Sequence, residues 1–574
     1  MKNLNLLENI NDNNLKKKID MMDSEIITFD YFSHNILLEN QIKHKKIDEY
    51  LEEQDRKEFF ELATSLWEWY DILDEKNFTF HNINLLSIID RNELHEFLMG
   101  LIPKIKAIKK ILAQVNFTKI YASFEIYQLL KNNPDYDVTL FEGYKNNSPL
   151  THDEITLNFD NIPFSIKPKL SRTKFRMLKR NQEKITSKMF HLRKDIPEKK
   201  KIVLIEFNPE VYEDLLYEMQ KRGIQPVLLN FRRPATLSLN SINVLRKTGS
   251  LVVLPEDFLG KQTLAQIKEE KKSMLLKIEN TLQNESSKLS SVFSYEGIKF
   301  HKILIDLFIR ILRERLGEYL IQILVSEKLD KFNNVIGAIA LNFSGETEKS
   351  FSKVIKNFPI ILLQHAFSNY TKSLMFLDVL DDFRFFKDKV AVYGHVLQKY
   401  LLSTNLIPEE KIIVCGSPKY DSFKPITKKS DKNKIILVTL RPIITHMEGP
   451  RIELYKKYES AISSIIESCN DLPTSKIIFK LHPQQNDNNQ FIKDAIKQKN
   501  ASAKILQSTS IKKLLIDCDL HINLAPDNFD VSSVVLEAMI LKRPTLNIQL
   551  QSTPFEFGII KENAIRTIMY NSDI

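Results

Sequence analysis

The sequence predicts an α/β protein built on two doubly wound parallel sheets, with a mainly helical region ahead of them. Three observations predict it. From Lys201 onward short apolar runs alternate with helical patterns, the rhythm of a parallel sheet with helices on both faces. A polar stretch, Lys424 to Asn433, divides that rhythm into two sets and reads as a linker. Polar and cationic residues then gather where apolar runs end, the edge at which such sheets collect ligands.

Residues 1–115 are the helical region in this reading. Lys45 to Trp69 mixes strong helix formers with spaced aromatics, and Glu93 to Leu112 continues likewise. Trp67, Trp69 and Tyr70 suit a core or an interface. The first doubly wound domain is expected over 116–424. Its early strands are Lys119 to Ser123 and Val138 to Phe141, and the turn between them holds Asp135-Tyr136-Asp137. That is the DxD form of a metal site, but the Asn-Asn-Pro-Asp setting gives a turn instead. Strands at Lys201–Glu206, Gln225–Asn230 and Leu251–Leu254 follow, with a helix over Glu210–Arg222. A long charged helical section, Lys261 to Glu327, reads as an insertion. Strands resume at Val335–Leu341, Ile360–Gln364, Val390–Tyr393 and Lys411–Cys415, with helices over Glu346–Lys356 and Val396–Leu402. The second domain, 434–574, holds strands at Ile435–Leu440, Lys476–Leu481, Leu520–Leu524 and Thr545–Gln549. Its helices are Glu453–Ser468, Gln490–Lys497 and Val531–Leu541.

Composition excludes several classes. With 574 residues, 43% of them hydrophobic and 27% charged, the chain can bury a sizeable core. No apolar run approaches the roughly 18 residues of a membrane span. The first twenty residues carry acids and lack a continuous apolar stretch, so they do not read as a secretory signal. Cys415, Cys469 and Cys518 lie far apart, without zinc spacing, which predicts a reducing compartment, the cytoplasm. Neither GxGxxG nor GxxxxGK[ST] occurs. No cofactor and no metal is expected. The net charge of +9 is uneven: residues 167–201 hold 14 Lys or Arg against three acids. Such a run attracts an anionic membrane, an acidic polymer or nucleic acid, and a solvated helix face has the same composition. The expected partner is anionic membrane, met peripherally at its inner face, and not nucleic acid.

Five segments end strands or open helices in the expected cleft. In DNFDVSSVVLEAMILKRP, Asp527 to Pro544, Asp530 is the expected N-cap of a helix. Ser532 and Ser533 then lie in a first turn whose free N–H groups favour an anion, and their hydroxyls add donors. Glu537, one turn on, can accept hydrogen bonds from sugar hydroxyls. An ordinary capped helix packed on a sheet gives the same pattern. Gln364-His365-Ala366-Phe367-Ser368 offers His365 as a general base, since imidazole takes up a proton near neutral pH. A histidine hydrogen-bonded within its loop is the alternative. Gly416-Ser417-Pro418-Lys419-Tyr420-Asp421 offers Ser417 and Lys419 as phosphate contacts, or only as parts of a turn. Arg441-Pro442 and Lys480-Leu481-His482-Pro483 supply counter-charges for a pyrophosphate. His482 is held extended by the proline that follows it.

KLHP followed by DVSSVVLE resembles the HP and SS motifs of bacterial capsule sialyltransferases. QHAFS, GSPKYD and DVSSVVLE, in that order, also resemble segments of CDP-glycerol glycerophosphotransferases. The layout covers about residues 200–560, while the specific motifs amount to some 30 residues. The resemblance implies two Rossmann-like domains in a GT-B arrangement. It implies donor phosphates bound by His482, Ser532 and Ser533, and His365 as the acceptor-side base. Ala366, Lys419 and Glu537 depart from the Gly, Arg and Asp of the glycerophosphotransferases. Glu537-Ala538 with Lys542-Arg543-Pro544 is closer to sugar-nucleotide transferases and UDP-sugar 2-epimerases. The acidic motif of the sialyltransferases is missing. The expected function is a metal-independent glycosyltransferase of surface polysaccharide, such as capsule, or glycoconjugate synthesis. Its donor would be a CMP-, CDP- or UDP-linked sugar bound by Arg441, Lys480, His482, Ser532, Ser533 and Glu537. The alternatives are CDP-glycerol glycerophosphotransfer, UDP-sugar 2-epimerisation and a carbohydrate-assembly scaffold.

Overall fold

The computed structural model describes residues 2–10, 15, 24–141, 154–156, 169–365, 383, 386–405, 407–425, 434–443, 451–470, 472, 475–483, 489–500, 502–526, 532–551 and 558–571. Three parallel sheets organise them, where two were expected. The first contains β1 (Lys2–Leu7), β2 (Ser24–Thr28), β3 (Lys45–Lys46), β4 (Phe117–Ala122) and β5 (Val138–Leu140), in the order β3-β2-β1-β4-β5. Around it lie α1 (Tyr31–Glu39), α2 (Asp55–Ser65) and α3 (Arg91–Gln114). Residues 1–115 are rich in helix and also carry the strands β1, β2 and β3, and β4 pairs with β1. The stretch Lys45 to Trp69 divides into β3, a turn of 3₁₀ helix at Ile47–Tyr50, and α2. Trp69 is buried, stacked on Phe308 at a centroid distance of 4.2 Å.

A helix, α4 (Arg172–Met189), leads into the second sheet. Its strands are β6 (Lys200–Ile205), β7 (Ile224–Leu229), β8 (Leu251–Val252), β9 (Val335–Ala340), β10 (Ile360–Leu363), β11 (Lys389–Val392) and β12 (Ile412–Val414), in the order β8-β7-β6-β9-β10-β11-β12. The chain reverses direction between β6 and β9, the switch point of a doubly wound sheet. The section expected as an insertion is the crossover from β8 to β9. It consists mainly of α5 (Pro255–Asn284), broken at Gly260 with φ 72°, and α6 (His301–Asp330). α6 buries a broad apolar face from Leu304 to Leu329 and leaves Lys302, Asp306, Arg310, Arg313 and Glu314 exposed on the other. α7 (Glu346–Val354) follows β9.

The third sheet holds β13 (Lys434–Leu440), β14 (Ser475–Leu481), β15 (Lys504–Leu506), β16 (Leu520–Ala525), β17 (Thr545–Gln549) and β18 (Arg566–Met569), in the order β15-β14-β13-β16-β17-β18. Its helices include α8 (Ile452–Asn470), α9 (Ile511–Asp517) and α10 (Ser533–Ile540). The central strand β13 is a largely buried apolar run, as a sheet covered on both faces requires. Polar residues cross it in one ladder: Thr439, Asn523 and Asn547 stand in register on β13, β16 and β17. His521 donates to or accepts from Thr439 Oγ1 at 2.8 Å, and Asn523 donates to Asn547 at 2.8 Å. The linker expected at 424–433 lies largely outside the described residues. Two doubly wound sheets of this order fit the GT-B arrangement, with the first sheet as a third Rossmann-like unit.

Candidate functional site

The carboxyl ends of the second and third sheets meet through the turn after β12. Lys419 Nζ lies 2.9 Å from Glu537 Oε1 on α10, and donates to Tyr420 OH at 3.3 Å. The Ser533 side chain faces the Tyr420 phenol. Lys512 of α9 donates to the Ser422 carbonyl at 3.0 Å and to its hydroxyl at 2.8 Å, with its ammonium 4.8 Å from the Phe423 ring centre. Phe423 packs on the apolar cluster of the third sheet. Residues 419–423 are thus a latch from one sheet onto the other. Glu537 is 2% exposed, and burial pushes its pKa up while Lys419 pulls it down. Its Oε2 is buried and accepts no hydrogen bond among the described residues.

His365 stands at the end of β10, near the Leu341 carbonyl at the end of β9. The residue is exposed, with the surrounding protein partly desolvating its ring. That desolvation lowers its pKa; the Leu341 carbonyl opposes the shift, and Lys419, Arg232 and Arg233 add to it. The ring is therefore neutral at neutral pH. A neutral imidazole keeps one donor and one acceptor nitrogen. The chemistry available is proton uptake beside a cationic surface.

Sequence reasoning missed two residues here. Tyr393, after β11, faces Ser417, and burial pushes its pKa up to about 12. Its backbone N–H donates to Gln364 Oε1 at 2.8 Å, which ties the β10 and β11 ends together. Tyr420 carries the contact to Ser533. Both sit in the quoted segments or next to one, and their hydroxyls were the available signal.

Other predicted residues fall differently. Asp530 lies outside the described residues, and α10 begins at Ser533 with Ser532 as its N-cap; the Ser532 side chain makes no capping bond. Lys480, expected as a phosphate counter-charge, is 6% exposed and donates to the carbonyls of Leu481 and Gln507 at 2.7 and 2.8 Å. Those carbonyls close the β14 and β15 ends, so Lys480 supports the edge. His482 is exposed at the β14 end, its N–H donating to the Leu440 carbonyl at 3.1 Å. Arg441 is half-buried at the β13 end, its carbonyl accepting from Tyr458 OH at 2.7 Å. His482, Arg441 and Ser532 follow β14, β13 and β16, three neighbouring strands of one edge. Lys419 and Glu537, expected to meet phosphate and ribose, engage each other.

At the switch point of the second sheet the protein's own charges fill the edge. Glu206, with φ 58°, accepts from the backbone N–H groups of Phe231 and Arg232 at 2.7 and 2.8 Å, and from Thr347 Oγ1 at 2.8 Å. Arg232 donates to Glu348. One turn of α7 away, Glu346 binds Arg172, Arg315 and Tyr319, and Arg315 also binds Glu93 of α3. Among the described residues no group of three or more His, Cys, Asp or Glu can hold a metal ion. Among them, too, no helix is long and apolar enough to cross a membrane.

No family model and no curated protein matches the chain. Among solved structures it is similar to S. aureus MnaA with UDP, at TM-score 0.40 and 13% identity over 65% of this chain and 85% of that one. It is similar to a glycosyltransferase from Rickettsia africae ESF-5, at TM-score 0.35 and 12% identity over 66% and 86%. The wall teichoic acid polymerase TagF with CDPG gives TM-score 0.29 and 11% identity over 66% and 77%. Likenesses at these scores bear on no residue of the site.

Proposed function

We propose that this protein is a glycosyltransferase that moves a sugar from a nucleotide-activated donor to a hydroxyl of a polysaccharide or glycoconjugate. The observation that carries the reading is the meeting of the two carboxyl edges at Lys419–Glu537 and Lys512–Ser422, with His365 feeling the charge of the same Lys419. In the proposed cycle the first-turn N–H groups of α10 and the Ser532 hydroxyl receive the donor phosphates. His482 and Arg441, on neighbouring strands, add donors to the departing phosphate. Glu537 keeps Lys419 placed through Oε1 and offers Oε2 to a ribose hydroxyl. His365, neutral at working pH, takes the proton of the acceptor hydroxyl as it attacks the anomeric carbon.

A panel of CMP-, CDP- and UDP-linked donors, with nucleotide release and calorimetric binding as readouts, tests the proposal. His365→Ala is expected to keep nucleotide affinity and lose transfer by about 10²- to 10⁴-fold. Ser532→Ala with Ser533→Ala is expected to weaken nucleotide binding in a folded protein, and His482→Ala to weaken it as well. Transfer at wild-type rate in His365→Ala overturns the base assignment; failure to bind any nucleotide overturns the reading. Release of CMP from CDP-glycerol, or interconversion of a UDP-sugar without acceptor, would reassign the reaction.

A further inference from the structure

The helix α4 is inverted relative to an ordinary surface helix. Its inward face is charged or polar: Arg172, Lys179, Glu183 and Ser187 are buried, and Arg176 is nearly so. Each buried charge has a partner. Arg172 and Arg176 reach Glu346, Lys179 donates to the Asn230 carbonyl at 3.3 Å, and Glu183 accepts from the Ala235 N–H at 2.6 Å. The apolar residues point outward. Met177, Leu178, Ile185 and Met189 are 58%, 52%, 60% and 66% exposed. With Lys174, Asn181, Lys184 and Lys188, all exposed, they form one stripe roughly 140° wide at 3.6 residues per turn. No acid stands in it, because the one acid of the helix, Glu183, faces inward. Past the helix end the basic character continues around a depression of about 720 Å³ lined by Ser187, Lys188, His191, Arg193, Lys194 and Asp257.

We infer that α4 docks this protein on an anionic lipid bilayer, lying in the interface plane with its apolar stripe in the acyl boundary and its lysines among the headgroups. A helix with an apolar face and a lysine rim is the form that binds in this way. Charge selects this occupant. A second copy would bring two basic stripes together, and a soluble acidic polymer would need no exposed Leu, Ile and Met. The placement suits a site that serves a lipid-borne acceptor, since Arg172 and Arg176 anchor the helix to Glu346 at the switch-point edge. The docking inference does not depend on the transfer reaction.

Flotation with phosphatidylcholine vesicles, with and without phosphatidylglycerol, tests it on the full chain. The protein is expected to float only with the anionic vesicles and to be released by salt. Lys174→Gln, Lys184→Gln and Lys188→Gln combined should weaken that binding by about 100-fold, near fivefold for each charge at the surface. Met177→Ser, Leu178→Ser, Ile185→Ser and Met189→Ser combined should abolish it while leaving thermal unfolding unchanged. If that variant misfolds, Ile185→Ser alone should still weaken binding severalfold. Equal partition into both vesicles, undiminished binding by the serine variant, or binding to polyglutamate but not vesicles overturns the inference. So does self-association in sedimentation velocity that the serine variant abolishes, without vesicle binding.

Discussion

At the scale of single residues, the pair Lys419–Glu537 decides how the latch responds to pH. Glu537 is buried, and its folded pKa already lies above the ordinary 4.5 because burial outweighs Lys419. Removing the lysine must raise it further. A raised carboxyl pKa contributes stability that is fully present below the unfolded value and is lost as pH rises through the folded one. Lys419→Met should therefore approach wild-type stability near pH 4.5 and fall behind it towards pH 8. The deficit there should be about 3 kcal/mol, the lower end for stranding one partner of a buried pair. Lys419→Met with Glu537→Leu should remove the pH dependence. Urea unfolding at three pH values measures this; a deficit equal at all of them would show that Glu537 does not titrate in the latch. The same pair shows how far the sequence could be read. Strand-end position marked both residues for one cleft, and the structure puts them in contact, but their pairing depends on how two distant segments dock. The partners of Lys480 were illegible for a related reason: the strand Ser475–Leu481 places the residue at the edge, while only the segment after β15 supplies the Gln507 carbonyl that engages its ammonium.

At the scale of elements, two helix starts differ in kind. Asp90 caps α3 through its carboxylate, accepting from the N–H groups of Asn92 at 2.9 Å and Glu93 at 3.4 Å. Ser532 caps α10 in position only. Asp90→Ala should cost about 1 kcal/mol, as loss of an N-cap usually does. Ser532→Ala should change stability by less than about 0.5 kcal/mol, the range of substitutions that remove no contact. Thermal unfolding of the two variants separates them; an equal loss would mean that Ser532 also caps its helix in solution. The strands that proved legible are those written as apolar runs, such as KIILVTL at β13 and KKIVLI at β6. The first sheet was not legible. β1 reads KNLNLL with Asn5 wholly buried, and β3 is two lysines long. β1 alternates only over Asn3 to Leu6, and β3 is too short to show a run or an alternation. Among the described residues the Asn5 amide has no hydrogen-bond partner, so nothing local explains its polarity. The helix-forming residues around these strands dominated the composition, and the pairing of β1 with β4 spans more than a hundred residues.

At the scale of the molecule, the first sheet's unit holds both others. Towards the second sheet, Glu93 binds Arg315, the Arg91 N–H donates to the Ser344 carbonyl at 3.3 Å, and Lys349 donates to the Ile89 carbonyl at 2.7 Å. Towards the third, Asp48 accepts from the N–H groups of Ile452 and Glu453 at 3.0 and 3.3 Å, capping α8 from outside its own unit. Tyr31 donates to Glu459 at 2.6 Å and stacks on Tyr455 at 5.1 Å. The second and third sheets are therefore joined twice, through this bridge and through the latch at 419–423. Two joints between the same pair of bodies are coupled: opening one leaves the other to hold the separation alone. Substitutions this far apart in sequence and without a shared partner would otherwise add within about 0.3–0.5 kcal/mol. Asp48→Ala with Tyr31→Ala, combined with Lys419→Met, should instead lose more stability than the sum of the separate changes. The excess should exceed 0.5 kcal/mol, the usual margin of additivity. Hydrogen exchange gives the local readout. In Asp48→Ala with Tyr31→Ala the amides of 419–423 and of α10 should exchange faster, although no contact there is altered. Strict additivity with unchanged exchange at the latch would mean that the cleft is set by the latch alone, and that the first unit serves the third sheet only as a cap for α8.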